Sequence, residues 1–243
     1  MLSKKIYEGA HRWFVFGRDP DKPENIIDTN QYMICNENTA ILLDPGGIEL
    51  FAPMLASVVK EVPLENIKYL FASHQDPDII SSLGMWDQIL IDATLYGPWI
   101  WESFIRHFGM HNTNYSPIDD AGGRVKIGDI ELEFIPAHYL HASGNYHVYD
   151  PEAKILFSGD VGAALEPAGS DLFVKDFDSH ISKMELFHQR WMPSNRAKDD
   201  WIARARELDY DLMVPQHGRI FKGEDCDKFL DWFSDLQVGI AVP

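Results

Sequence analysis

The chain has 243 residues and carries 21 Lys+Arg against 38 Asp+Glu, a formal net charge of −17. That length suits one continuous α/β domain, and an apolar content of 45% with 12% aromatics supports a sizeable core rather than disorder. So acidic a surface repels phosphate backbones and anionic lipid alike, so no nucleic acid and no membrane is expected as a partner.

Two cysteines, Cys35 and Cys226, give neither a disulfide framework nor a thiolate-rich metal pattern. Residues 1–8 lack the apolar core of a signal peptide, and no stretch approaches the roughly 18 apolar residues that a span needs. A soluble cytoplasmic protein is expected.

In chain order, residues 32–35 and 39–43 are β-rich runs joined by Asn36-Glu37-Asn38 and read as a hairpin. The breaker Asp44-Pro45-Gly46-Gly47 follows, then residues 48–59 with Leu50, Met54, Leu55 and Val58 at helical spacing. Residues 67–72 form a short apolar strand that runs into Ser73-His74-Gln75-Asp76-Pro77-Asp78. Helices are expected near 82–91 and 99–108. Gly122-Gly123 turns the chain into strands at 124–127 and 130–135, the second feeding Pro136-Ala137-His138-Tyr139-Leu140-His141. Residues 146–149 and 154–157 are further strands, the latter ending at Ser158-Gly159-Asp160. Helices at 179–191 and 195–208, a strand at 212–214 opening into Pro215-Gln216-His217-Gly218, and a last helix at 224–236 complete the reading. Two comparable halves of this kind predict an α+β fold, a four-layer αββα sandwich, as a single domain over residues 1–243.

Four strand ends carry His or Asp directly after an apolar run, where ligands gather in α/β proteins. His74, Asp76 and Asp78 alternate, so three donors turn to one side of an extended segment. Taken alone, that motif also fits a solvated acidic turn. His141, Asp160 and His217 tip the balance, because each sits beside small or turn residues that allow close approach. A buried Asp160 is costly unless paired or metal-bound. Three imidazoles and three carboxylates without thiolate suit iron, manganese or zinc and argue against a structural zinc site. One bridging carboxylate would hold two metals a few Å apart.

The order His-x-acid-x-Asp, then His, then Gly-Asp, then His-Gly resembles the metallo-β-lactamase fold over roughly residues 31–221. Hydrolases of that superfamily usually read His-x-His-x-Asp-His, whereas Asp76 stands at the second His here. A carboxylate there resembles the flavodiiron branch, as does the spacing from His141 to Asp160. By that resemblance His74, Asp76 and His141 hold one iron, Asp78 and His217 the other, and Asp160 bridges them. Two departures stand out. Ile79 replaces a usual metal-binding His, which leaves an open face on the second metal. The chain also stops at Pro243, without room for the flavodoxin-like module, so no FMN is expected. The chain looks most like the oxygen-binding diiron proteins found beside bacterial chemotaxis and signalling systems. That resemblance implies two Fe ions with an O2, oxo or peroxo ligand. It also implies a signalling protein or external redox partner, and a homodimer. Binding rather than turnover is expected.

Ile79 reads equally as the first apolar residue of a helix, with the missing ligand supplied by another His. His138 is the nearest, although a hydrogen bond to a ligand is its expected role. Tyr139 fits pocket lining and simple packing alike. Residues 161–177 are the expected mobile element, or else an ordinary surface loop. His11, His107, His111, His147, His180 and His188 are assigned to surface or core. The rival readings are a dinuclear-zinc hydrolase and an O2 or NO reductase fed by a separate redox protein.

Overall fold

The structure, a computed structural model, describes residues 1–19, 21, 25–167 and 169–242. The expected domain over 1–243 therefore includes six positions outside the described residues. The first half comprises β1 (Leu2–Glu8), β2 (Arg12–Gly17), β3 (Gln31–Cys35), β4 (Ala40–Leu43), α1 (Phe51–Val58) and β5 (Ile67–Phe71). It continues with α2 (Pro77–Ile80), α3 (Leu83–Ile89), β6 (Thr94–Pro98), α4 (Glu102–Ile105) and β7 (Asn114–Ile118). Its seven strands lie side by side in chain order, antiparallel from β1 to β4 and parallel from β4 to β7.

The second half comprises β8 (Gly123–Ile127), β9 (Ile130–Pro136), β10 (Tyr146–Asp150), β11 (Ile155–Phe157), α5 (Phe177–Trp191) and α6 (Asn195–Ala205). It ends with β12 (Leu212–Val214), β13 (Phe221–Lys222) and α7 (Glu224–Asp235). Its sheet runs β13-β12-β11-β10-β9-β8, with β11 and β12 parallel.

Strand periodicity builds the layers. In β3, Tyr32 and Ile34 enter the core between the sheets, and Met33 and Cys35 enter the core under the first helices. In β11, Ile155 and Phe157 face the other sheet while Leu156 faces α5–α7. Strands covered on both faces read as continuous apolar runs rather than alternating ones, and β3, β4, β10 and β11 are buried throughout. Phe71 stacks on Phe134 across the gap between the sheets. The outcome is the αββα sandwich of a metallo-β-lactamase-like fold.

Several elements differ from expectation. The helix at 48–59 begins as a 3-10 turn, Ile48–Leu50, before α1. Residues 99–108 form three short turns, with α4 between 3-10 turns at Trp99–Trp101 and Arg106–Phe108. Strands β1, β2, β6, β7 and β13 are additions to the expected elements. Among the described residues no helix is long and apolar enough to cross a membrane.

Candidate metal centre

The loops after β5, β9, β11 and β12 converge at one edge of the sandwich. His74 lies three residues beyond β5, Asp160 three beyond β11, and His217 three beyond β12. Asp76 precedes α2 with extended backbone, and Asp78 sits in its first turn behind Pro77. Proline is favoured there because the helix start needs no N–H from it.

Asp160 is the hub. Its Oδ2 lies 3.4 Å from His74 Nε2 and 3.1 Å from His141 Nε2, and its Oδ1 lies 3.2 Å from His217 Nε2. Asp76 Oδ2 lies 3.1 Å from His141 Nε2 and 3.7 Å from His74 Nε2, so these three residues form a compact donor group. Asp78 Oδ2 faces His217 Nε2 at 3.5 Å. His74, Asp160 and His217 are buried, whereas the side chains of Asp76, Asp78 and His141 are 31%, 26% and 20% exposed. The cluster opens to solvent on that side.

The imidazoles are oriented from behind. Ser73 Oγ donates to Asp44 Oδ2 (2.7 Å), which leaves it to accept from His74 Nδ1–H (2.9 Å). Ser73 N–H and Gln216 also donate to Asp44. His217 Nδ1–H donates to the Asp28 carbonyl at 2.9 Å. Such bonds fix the tautomer and aim Nε2 inward. The buried Nε2 of His74 has no hydrogen-bond partner. An inward His74 nitrogen that faces carboxylates at 3.4 and 3.7 Å without a well-aligned hydrogen bond, together with two further imidazoles and three carboxylates, fits a divalent metal pair with mixed N/O ligands.

Without metal the charges pair among themselves. Burial pushes His141 down, but hydrogen bonds to Asp160 and Asp76 outweigh it and lift the imidazole to about 9. His74 and His217 are raised by the same competition. Burial opposes ionisation of Asp160, yet the three imidazoles hold it well below the usual carboxylate range. Asp78 is raised, because burial and its acidic neighbours outweigh His217.

All six expected donors therefore meet, but the surrounding residues depart from expectation. His138 makes no hydrogen bond to any of the six; it bonds to the Asp120 carbonyl (2.9 Å) and packs on Tyr146. The Asp120 loop captures its ring before it can reach the cluster. Tyr139 is 53% exposed. Ile79 is 1% exposed and belongs to the apolar core under the first helices. Residues 161–177 (Ala168 lies outside the described residues) do not form an ordinary surface loop throughout, since Val161, Ala163 and Ala164 are buried. Asp44, Ser73 and Gln216 join the site without having been expected there. Asp44 carried a usable signal, an acid directly after an apolar strand.

Residues 27–218, which include all six donors, match the family model described as ODP family beta lactamase. The chain belongs to the ODP family. A structure of a peroxy diiron species of chemotaxis sensor ODP is 33% identical to this ODP-family chain, with a TM-score of 0.87, covering 100% of this chain and 98% of that one. The apo state of chemotaxis sensor ODP from T. denticola is 33% identical with a TM-score of 0.86, covering 99% and 97%. The flavodiiron protein from Giardia intestinalis shares the fold, with a TM-score of 0.82 at 19% identity over 96% of this chain and 58% of that one. An uncharacterized protein of Methanocaldococcus jannaschii is 25% identical over 218 residues, 88% of this chain. The chain spans 55% of that relative's length.

Proposed function

We propose that this protein is a non-haem diiron protein that binds dioxygen reversibly and acts as an oxygen sensor in bacterial chemotaxis or related signalling. In this reading His74, Asp76 and His141 hold one iron, Asp78 and His217 the other, and Asp160 bridges them. The carrying observation is the asymmetry of the cluster. The group of His74, Asp76 and His141 is compact, whereas Asp78 and His217 form a sparser half, next to an Ile79 that offers no donor atom. Kinship with the chemotaxis sensor ODP, one structure of which is described as a peroxy diiron species, supports iron and dioxygen over zinc and an ester.

When bound, an iron pair held by these residues would supply the electrons for dioxygen binding. The chain's own residues orient the ligands and, on the buried side, supply few acidic protons. Ser73, Asp44 and Gln216 hold His74, and the Asp28 carbonyl holds His217. Around the turn that carries Asp160, two further imidazoles are kept neutral. Burial lowers His147 to about 3 and His188 to about 4. His147 Nδ1 accepts from Trp201, and His188 Nε2 accepts from the Gly162 N–H. Neutral, buried imidazoles are poor proton donors, and a poor proton supply favours release of dioxygen over its reduction. A homodimer and a signalling partner belong to the same reading.

Anaerobic purification followed by metal analysis tests the metal assignment. Two irons per chain are expected. Two zincs with hydrolytic turnover would overturn it, and rapid reductant-coupled oxygen consumption would replace the sensor with a reductase.

A further inference from the structure

The segment after Asp160 does more than leave the site. It runs along the turn that carries His217 and is tied to it at several points. Ala164 N–H donates to the His217 carbonyl at 3.3 Å. Gly218 has a φ of +77°, and a Cβ there would lie 2.6 Å from the Ala164 Cβ, so the two segments meet too closely for any other residue. Two residues further on, the Glu166 carboxylate accepts both arms of the Arg219 guanidinium, from Nε at 2.8 Å and Nη2 at 2.9 Å. Lys183 of α5 donates to the same carboxylate. Ile220 then pairs with the far part of the loop, donating to the Leu172 carbonyl (2.8 Å) and accepting from Val174 N–H (3.0 Å).

These contacts close a ring. The chain runs from Asp160 to Glu166, crosses the ionic fork to Arg219, returns through Gly218 to His217, and meets Asp160 again at 3.2 Å. The side chain of Glu166 is 2% exposed and that of Arg219 17%. Burying such a pair gains little stability over an apolar one, because desolvation offsets the attraction. A planar fork on a carboxylate does fix geometry, which a point charge would not.

We propose that Glu166 is a positioning residue for the His217 half of the cluster, joining the turn of His217 and the segment of Asp160 to α5. The inference rests on reading the six donors as metal ligands. Partners that orient a ligand change metal affinity by about 10–100-fold. The effect falls mainly on the metal that Asp78 and His217 would hold, because His74, Asp76 and His141 lie on other segments and Asp160 alone is shared.

Anaerobic titration with Fe(II) and hydrogen exchange on the metal-free protein test this together. Glu166→Ala is expected to weaken the second Fe(II) by about 10–100-fold and the first much less, so dialysed protein keeps one ion instead of two. Exchange is expected to accelerate at the amides of Ala164, Val174 and Ile220 but not in β5 or β9. Arg219→Lys, which keeps the charge and loses the fork, is expected to reproduce the effect in weaker form and covers the case in which Glu166→Ala fails to fold. Wild-type affinity for both ions, or equal loss of both, would overturn the proposal. A wild-type chain that binds no Fe(II) would overturn the metal reading instead. Unchanged exchange at Ala164 in the variants would overturn the positioning role whatever the metal result.

Discussion

Asp160→Asn is expected to abolish stoichiometric metal binding rather than halve it. Among the described residues, Asp160 is the carboxylate within 3.4 Å of all three inward imidazole nitrogens. Asparagine preserves its shape and removes its charge. In the proposed assignment two divalent ions would share Asp160 as the anion that offsets their repulsion, so metal content is expected to fall from two ions per chain to near zero. The substitution also changes how the metal-free protein responds to pH. His141 sits at about 9 in the fold, with Asp160 its strongest favourable partner, and at about 6.5 when unfolded. Its stabilisation of the metal-free fold is therefore full below about pH 6.5 and is lost as pH rises through about 9. The neutral amide of the variant removes the share of that shift due to Asp160 and leaves the share due to Asp76. Thermal unfolding of metal-free wild type is expected to weaken over this window and that of the variant to do so less. Two ions retained by the variant would refute the bridging role.

Asp150→Ala is expected to give the larger loss of stability while leaving metal content unchanged. Asp150 is fully buried at the end of β10 remote from the ligands. Its Oδ2 accepts from His11 Nε2 and from Trp13 Nε1 (2.7 Å), both on the first sheet's side of the sandwich. Its Oδ1 accepts from the N–H groups of Glu152 (3.1 Å) and Ala153 (3.0 Å) and so closes the turn into β11. Alanine would strand these donors in the interior, where each unsatisfied group costs about 1–3 kcal/mol. A total of about 3–5 kcal/mol is expected, which for a chain of this size lowers Tm by about 10 °C. Calorimetry checks the shift, and a loss below about 1 kcal/mol would contradict the role of Asp150 as a staple between sheets.

Sequence made the strand ends legible because an apolar run that stops at a breaker is a local signal. The runs at 67–72 and 212–214 match β5 and β12 closely, so the positions of His74 and His217 followed from them. Strands β1 and β7 gave no such signal. β1 is a largely exposed edge strand carrying Lys4 and Lys5, and β7 contains Pro117, which is tolerated at an edge. Each is an edge strand held by a single neighbour, β1 by β2 and β7 by β6, so neither needs the apolar pattern of a strand covered on both faces. His138 shows the same limit. Its spacing from His141 suggested a hydrogen bond to a ligand, but a carbonyl from the Asp119–Asp120 turn decides its direction. Asp44 was legible in principle, yet Pro45-Gly46-Gly47 drew attention to the break rather than to the acid before it. Glu166 was not legible, because its burial arises only where α5 meets the turn after β12.

Reversible oxygen binding is tested most directly by cycling anaerobically prepared, iron-loaded protein between argon and oxygen while recording its visible spectrum. Two irons per chain, with a charge-transfer band that rises under oxygen and fades under argon through repeated cycles, are predicted. A band that never forms, or one that decays irreversibly as oxygen is consumed, would contradict it.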